Sequence, residues 1–366
     1  MKICFVSHAS NYHTKKWATW FSAHGHEVHV ISFSYSKIPG VHVHTLSSSV
    51  DAHGSDIQKI AYLMKAKKLR KIVRNINPDI VNVHYASSYG TLAALSGIHN
   101  YVLSVWGSDV YDFPRKSILH KSMLKYSLSK AAYLFSTSRS MAEETSKYTD
   151  KDFKITPFGV DMNIFNPNKR IRQNREKTFI VGTIKALEPK YGIPTLLKAV
   201  SIVKKRRKDI DIQLRIAGKG SQENEYKKIA AELDIDDITK WLGFISQEQV
   251  AIEWANMDVG IIPSEMESES FGVSAVEAEA CGIPVIISDI PGLMEATEPE
   301  KTSIIFKRKN AEMLAEKIIQ LYDFPEMREQ IGKNGRYFAS EHFEIDKCFN
   351  YIEFLFYNIS EQAGKI

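Results

Sequence analysis

Short apolar runs rich in Val, Ile and Phe alternate along the chain with longer stretches whose apolar residues recur every three or four positions. Runs of the first kind predict strands, and stretches of the second predict amphipathic helices. "KICFVS" (2–7) precedes a helical pattern over 13–24, and "EVHVISF" (27–33) follows the turn His24-Gly25-His26. "DIVNVH" (79–84), "YVLSVWG" (101–107) and "AYLFSTS" (132–138) continue the series, with a small-residue helix near 86–97 and a polar helix over 115–130 between them. The rhythm breaks in "ITPFGVDMNIFNPNKRIRQNREKTF" (155–179), where prolines, asparagines and basic residues read as a linker. It resumes with "FIVGTI" (179–184), "IQLRIAGKG" (212–220), "ITKWLGF" (238–244), "VGIIPS" (259–264) and "PVIISD" (284–289).

Such alternation predicts parallel sheets covered by helices on both faces. The expected fold class is therefore α/β, with two Rossmann-like domains facing across a cleft. The first takes residues 1–165 and a crossover helix over 345–366, which is rich in aromatics; the second takes 170–344.

Composition narrows the class without naming a function. The 366 residues, 44% hydrophobic and 25% charged, suit an ordinary globular protein with two cores. Cys4, Cys281 and Cys348 are few, odd in number and widely spread, so reduced thiols are expected rather than a disulfide framework or a metal site. The start reads as a strand rather than a leader, and no window approaches the roughly 18 apolar residues of a membrane span. A cytoplasmic protein is expected.

Net charge is +5, and much of it collects in "IQKIAYLMKAKKLRKIVRNI" (57–76). There Lys67, Lys68 and Lys71 flank an apolar stripe at helical spacing, a pattern that packs on a sheet and leaves its basic face for peripheral contact with anionic lipid. No nucleic-acid motif accompanies it, and nucleic acid is discounted as a partner.

Candidate chemistry gathers at the predicted carboxyl ends of strands, where open α/β sheets bind ligands. The turn after the first strand, "SHASNYHT" (7–14), has no glycine, which excludes the G-x-G-x-x-G turn of a dinucleotide-binding dehydrogenase; a Walker-type P-loop is also absent. In the second half, Lys185 and Lys190 follow one strand and Gly218 and Gly220 another. Glu269 precedes Ser270, Phe271 and Gly272 at a predicted helix start. Helix N-terminal amides and two lysines make a pocket suited to a diphosphate. Glu269 and Glu277 lie about 12 Å apart along a helix axis and could hold hydroxyls on either side of it. Glu277 falls nearer the stripe of Val273, Val276 and Ala280, which assigns Glu279 to the solvated face.

"ESFGVSAVEAEACGIPVI" (269–286) resembles the E-x7-E signature of the retaining, nucleotide-sugar-dependent glycosyltransferases of family 4, which have the GT-B fold. "AHGHEVHVIS" (23–32), "NPDIVNVHY" (77–85), "ITPFGVDMNIFNP" (155–167), "IAGKG" (216–220) and "WLGFIS" (241–246) are similar to further family segments in the same order. The resemblance implies that Lys185 and Lys190 clamp the donor diphosphate and stabilise charge on the leaving group. By the same resemblance Glu269 holds hydroxyls of the transferred sugar, and Ser270, Phe271, Gly272 and Val273 line the donor with backbone amides. Glu277 takes the ribose, Phe244 and Ile245 the base, and Gly182 and Gly218 the donor-side turns, while Asp109 joins the catalytic set. It implies no metal or other cofactor, a donor that is more often a UDP-sugar, and a lipid-linked or surface-glycan hydroxyl as acceptor.

Two departures concern the acceptor side. The first loop offers His8, Ser10, Asn11 and His13 where many relatives carry a pair of glycines. In "SVWGSDV" (104–110), Trp106 stands where many have a histidine, with Gly107 and Asp109 retained; His84 is a further candidate at a strand end. Trp106 has no base to offer and can only pack on a sugar face or donate from its indole N–H. These departures motivate one alternative, a silent nucleotide- or glycan-binding subunit; a sugar-nucleotide epimerase of the same fold is a further alternative, which the E-x7-E spacing disfavours.

Overall fold

A computed structural model describes residues 1–46, 65–171 and 178–363. The chain forms two compact units, one of Met1–Phe158 together with the chain from Cys348 onward, the other of Gly159–Lys347. Much of the predicted basic stretch, 57–64, lies outside the described residues.

The first unit has a seven-stranded parallel sheet built from β1 (Lys2–Val6), β2 (Glu27–Ser32), β3 (His42–Thr45), β4 (Ile80–His84), β5 (Val102–Val105), β6 (Tyr133–Ser136) and β7 (Phe153–Ile155). Their order is β3-β2-β1-β4-β5-β6-β7. The pleat sends Cys4 and Val6 of β1 into a cluster with Leu69, Val73, Leu92 and Leu124, from helices Ala66–Ile76, Tyr89–Ser96 and Ile118–Lys130. Phe5 points to the other face, against Trp17 and Phe21 of helix Tyr12–Ala23. The returning helix Ile345–Ala363 completes that aromatic layer, with Phe349 on Trp17 and Trp20 and Phe356 on Phe21.

The second unit has a six-stranded parallel sheet of β8 (Phe179–Ile184), β9 (Ile212–Ala217), β10 (Thr239–Gly243), β11 (Val259–Ile262), β12 (Val285–Ser288) and β13 (Ser303–Phe306), in the order β10-β9-β8-β11-β12-β13. In both sheets the chain works outward in one direction from the first strand and then in the other. The switch points lie between β1 and β4 and between β8 and β11, and such crevices receive ligands.

Strands β3, β7 and β13 were not evident in the pattern. All three are edge strands of three or four residues, too short for a period to show. Part of the stretch read as linker is packed rather than free. Val160 donates to Phe343 O (2.7 Å) and accepts from Ile345 N (3.0 Å), and Arg336 donates to the carbonyl of the buried Phe165 (2.8 Å).

Candidate active site

In the second unit, strand pairing continues past the strand ends and zips the loops together. Lys185 donates from its backbone to Ala217 O (3.0 Å), Leu187 to Lys219 O (3.1 Å) and Gly218 to Gly243 O (2.7 Å). Gly218 has φ +140°, and a Cβ there would sit 1.9 Å from Lys185 O. The close approach this glycine allows is thus to the neighbouring loop, which corrects its expected role against a ligand. Gly182 is also displaced from the donor-binding set. It lies within β8, where a Cβ would meet Arg215 O at 2.4 Å and the Met257 methyl at 2.8 Å, so its smallness serves core packing.

The fixed loops hold a charged pair. Lys185 Nζ donates to Glu269 Oε2 at 2.9 Å, with the side chains only 8% and 10% exposed. The same carboxylate oxygen accepts from Ser264 Oγ at 3.3 Å, and Ser264 O accepts from Ser288 Oγ, so Glu269 is anchored at the ends of β11 and β12. Lys185 and Lys190 each lie near the ring of Tyr191, their ammonium groups 5.1 and 4.8 Å from its centre. Lys190 is tied to the loop after β11 by Glu265 N, which donates to its carbonyl at 2.8 Å.

Helix Val273–Ala280 starts beside this pair. Its N-cap is Gly272 at φ 76°, no side chain caps it and its first turn contains no acid. Ala275 N donates to Gly272 O at 2.8 Å, and the positive end of the helix dipole carries no side-chain cap, an arrangement that favours an anion. Ser274 Oγ donates to Ile184 O at 3.2 Å, which fixes the helix start to the end of β8. Ser270 and Phe271 are buried, and Phe271 packs edge-on against Phe343. Glu277 is buried on this helix, whereas Phe244 is 79% exposed and Ile245 half-buried in the loop after β10.

Glu279 corrects an expectation outright, being fully buried rather than solvated. Helix Pro325–His342 crosses over it, with Gly335 so close that a Cβ there would lie 3.0 Å from Glu279 Cγ. Neither carboxyl oxygen makes a hydrogen bond of good geometry. Burial pushes its pKa well above the ordinary carboxylate value, only partly offset by the Thr302 hydroxyl.

The carboxyl ends of the first sheet are aromatic. His13 stacks on Phe158 (3.9 Å between centres) and meets the edge of Trp106 (6.0 Å). Burial, with Lys16 and His84 nearby, holds His13 well below the usual histidine range. His84, a candidate for acceptor contact, is instead a core residue. It is fully buried with Nε2 against Asn82 Oδ1 (2.8 Å) and its ring 4.2 Å from Trp106, and burial lowers its pKa to about 3. His8 pairs with Ser10 through Nδ1 (3.0 Å), and Asn11 is taken up capping helix Tyr12–Ala23.

Asp109, expected among the catalytic groups, is an internal clamp. It is fully buried and accepts from the amides of Ala86 (2.8 Å), Trp106 (3.2 Å) and Gly107 (2.8 Å), so it positions Trp106. Tyr191, Ser264 and Glu265 were not singled out from the sequence. For Tyr191 the signal was available in "PKYG", directly after Lys190. Among the described residues, no cluster of three or more His, Cys, Asp or Glu is placed to hold a metal ion.

Residues 165–338 match the family described as glycosyl transferases group 1, and residues 2–138 match glycosyl transferase 4-like proteins. The chain is 33% identical over 212 residues to D-inositol 3-phosphate glycosyltransferase from Pseudarthrobacter chlorophenolicus, a match covering 56% of this chain and 50% of that protein. It therefore spans half the length of that relative. In structure it is similar to sucrose-phosphate synthase from Thermosynechococcus elongatus, with TM-score 0.85, 19% identity and 98% and 99% of the two chains covered. It is also similar to Anabaena Alr3699/HepE in complex with UDP-glucose, with TM-score 0.78, 16% identity and 100% of each chain covered. At these identities the structural likeness speaks to the GT-B fold alone.

Proposed function

We propose that this chain, which belongs to the GT4-type glycosyltransferases and is an enzyme of that class, moves a sugar from a nucleoside diphosphate to a hydroxyl of a glycan or lipid-linked acceptor, with retention of configuration. The observation that carries the reading is the Lys185–Glu269 pair beside an uncapped helix start, with Lys190 near the same tyrosine. A donor diphosphate supplies the anion such a site lacks. Lys185 turns to the phosphates, Lys190 adds a second cation, and the first-turn amides donate to phosphate oxygens. Glu269, released from its ion pair, accepts from hydroxyls of the sugar being transferred, and Glu277 from the ribose.

As the glycosidic bond to the leaving phosphate breaks, negative charge grows on the phosphate where the lysines and amides already point. Fixed donors of this kind contribute about 10²–10³ each in rate. The leaving phosphate takes the acceptor proton, so no second carboxylate and no metal is called for. Uridine is the favoured base, because the family resemblance more often implies a UDP-sugar.

The test is thermal stabilisation by UDP, GDP, ADP and CMP in the presence of EDTA, since a ligand held only by the folded protein raises its melting temperature by mass action. UDP is expected to shift the melt, and the shift to vanish in Lys190→Ala and Glu277→Ala. A shift by none of the four nucleotides would sink the reading.

A further inference from the structure

One side of the first sheet is covered by three helices in a row: Ala66–Ile76 packs on Tyr89–Ser96, which packs on Ile118–Lys130. None of the three contains an Asp or a Glu. The outer two carry five cations and three cations respectively. The described part of the basic stretch, from Lys65 to Ile76, is thus one edge of a wider surface.

The third helix adds apolar area that the fold does not use. Leu124 and Leu128 already supply its core face and are fully buried. Ile118 and Leu119, in its first turn, are 85% and 67% exposed, with Leu95 (49%) on the middle helix. The first turn is held by Ser117, whose hydroxyl accepts from His120 N. Exposed Lys116 precedes the aliphatic pair, and Lys121 and Lys125 follow it. Nearby Glu144 is already engaged by Arg115 and Lys147.

Single exposed leucines are ordinary. Two adjacent aliphatics raised on a helix start, with lysines before and after them and no carboxylate on the three helices, match the two demands of an anionic bilayer surface: charge for the headgroups and apolar side chains for the acyl boundary. Among the described residues no helix is long and apolar enough to cross a membrane, so the contact is interfacial. We infer that the first unit docks on anionic lipid through this face, with Ile118 and Leu119 inserted and Lys121 and Lys125 among the headgroups. The inference stands apart from the transfer reaction, because none of these residues belongs to the donor site.

Flotation with vesicles of phosphatidylcholine, with and without phosphatidylglycerol, tests it on the full chain. Binding is expected only with phosphatidylglycerol, and to weaken as salt rises. Ile118→Ser with Leu119→Ser should weaken it about tenfold or more through lost apolar burial. Lys121→Glu with Lys125→Glu should weaken it to a similar degree. All four positions are exposed, so unchanged melting temperatures and unchanged UDP binding would show that these variants fold. No binding to the anionic vesicles, or binding unaltered by the serine variant, overturns the proposal. So does capture by a DNA duplex without vesicle binding, which would make the face a polyanion site.

Discussion

At the carboxyl end of the second sheet, backbone hydrogen bonds lock the loops after β8, β9 and β11, and those loops hold Lys185 against Glu269. At the same end of the first sheet, the loops after β1, β4 and β5 enclose His13, His84 and Trp106, with Phe158 stacked beside them. There the buried Asp109 is consumed by backbone amides. One strand order has therefore been given a charged end and a neutral end. Under the proposed function, the charged end would meet the donor diphosphate, whose charge must be matched, and the aromatic end would be left for the acceptor.

The sharpest way to break this comparison is Lys185→Ala. Transfer is expected to fall about 10²–10³-fold in steady-state assays. Stability should fall as well, by roughly 3 kcal/mol, because Glu269 is left buried without its cation. Adding Glu269→Ala should restore part of the stability and none of the activity. If the single variant kept wild-type turnover, the charged end would be structural only.

Gly218→Ala tests whether the zipped loops matter. A methyl group 1.9 Å from Lys185 O, at a φ that side chains rarely adopt, should cost about 3 kcal/mol in urea titration and should weaken UDP binding. Full retention of both would mean that the loop spacing is soft.

Two buried groups, one in each unit, should also respond to pH with opposite signs. For His84 the folded pKa of about 3 lies below the ordinary 6.5, so the unfolded chain takes up a proton first as pH falls, and stability drops between those values. The loss amounts to about 2 kcal/mol by pH 5. His84→Gln should flatten this acid slope in melting temperature, whatever it does to the absolute value.

Glu279 behaves the other way. Its folded pKa is raised above the ordinary 4.5, so its protonated form is favoured in the fold, and stability is lost as pH climbs from 4.5 through the raised value. Glu279→Gln, which keeps the shape without the proton to lose, should give a small gain that is larger at pH 8 than at pH 5. Equal gains at both would show that Glu279 is ionised in the folded protein.

The sequence by itself determined most of the architecture and the position of the charged site. Alternation of apolar runs and amphipathic stretches is a local property, and among the described residues it marked ten of the thirteen strands, missing the short edges β3, β7 and β13. Lys185, Lys190 and Glu269 were legible because loop residues at strand ends need no third element to bring them near one another: parallel pairing of β8 with β11 does so. Tertiary structure decided what covers each polar face. Periodicity told Glu277 from Glu279 by their angle on one helix, yet it carried no information about helix Pro325–His342, which buries Glu279. It likewise could not place His84 beneath Trp106, assign the Asp109 oxygens to amides, or show that Gly182 and Gly218 accommodate protein atoms rather than a ligand. Burial depends on partners distant in the chain, and a local pattern records only what a residue prefers, not what arrives to cover it.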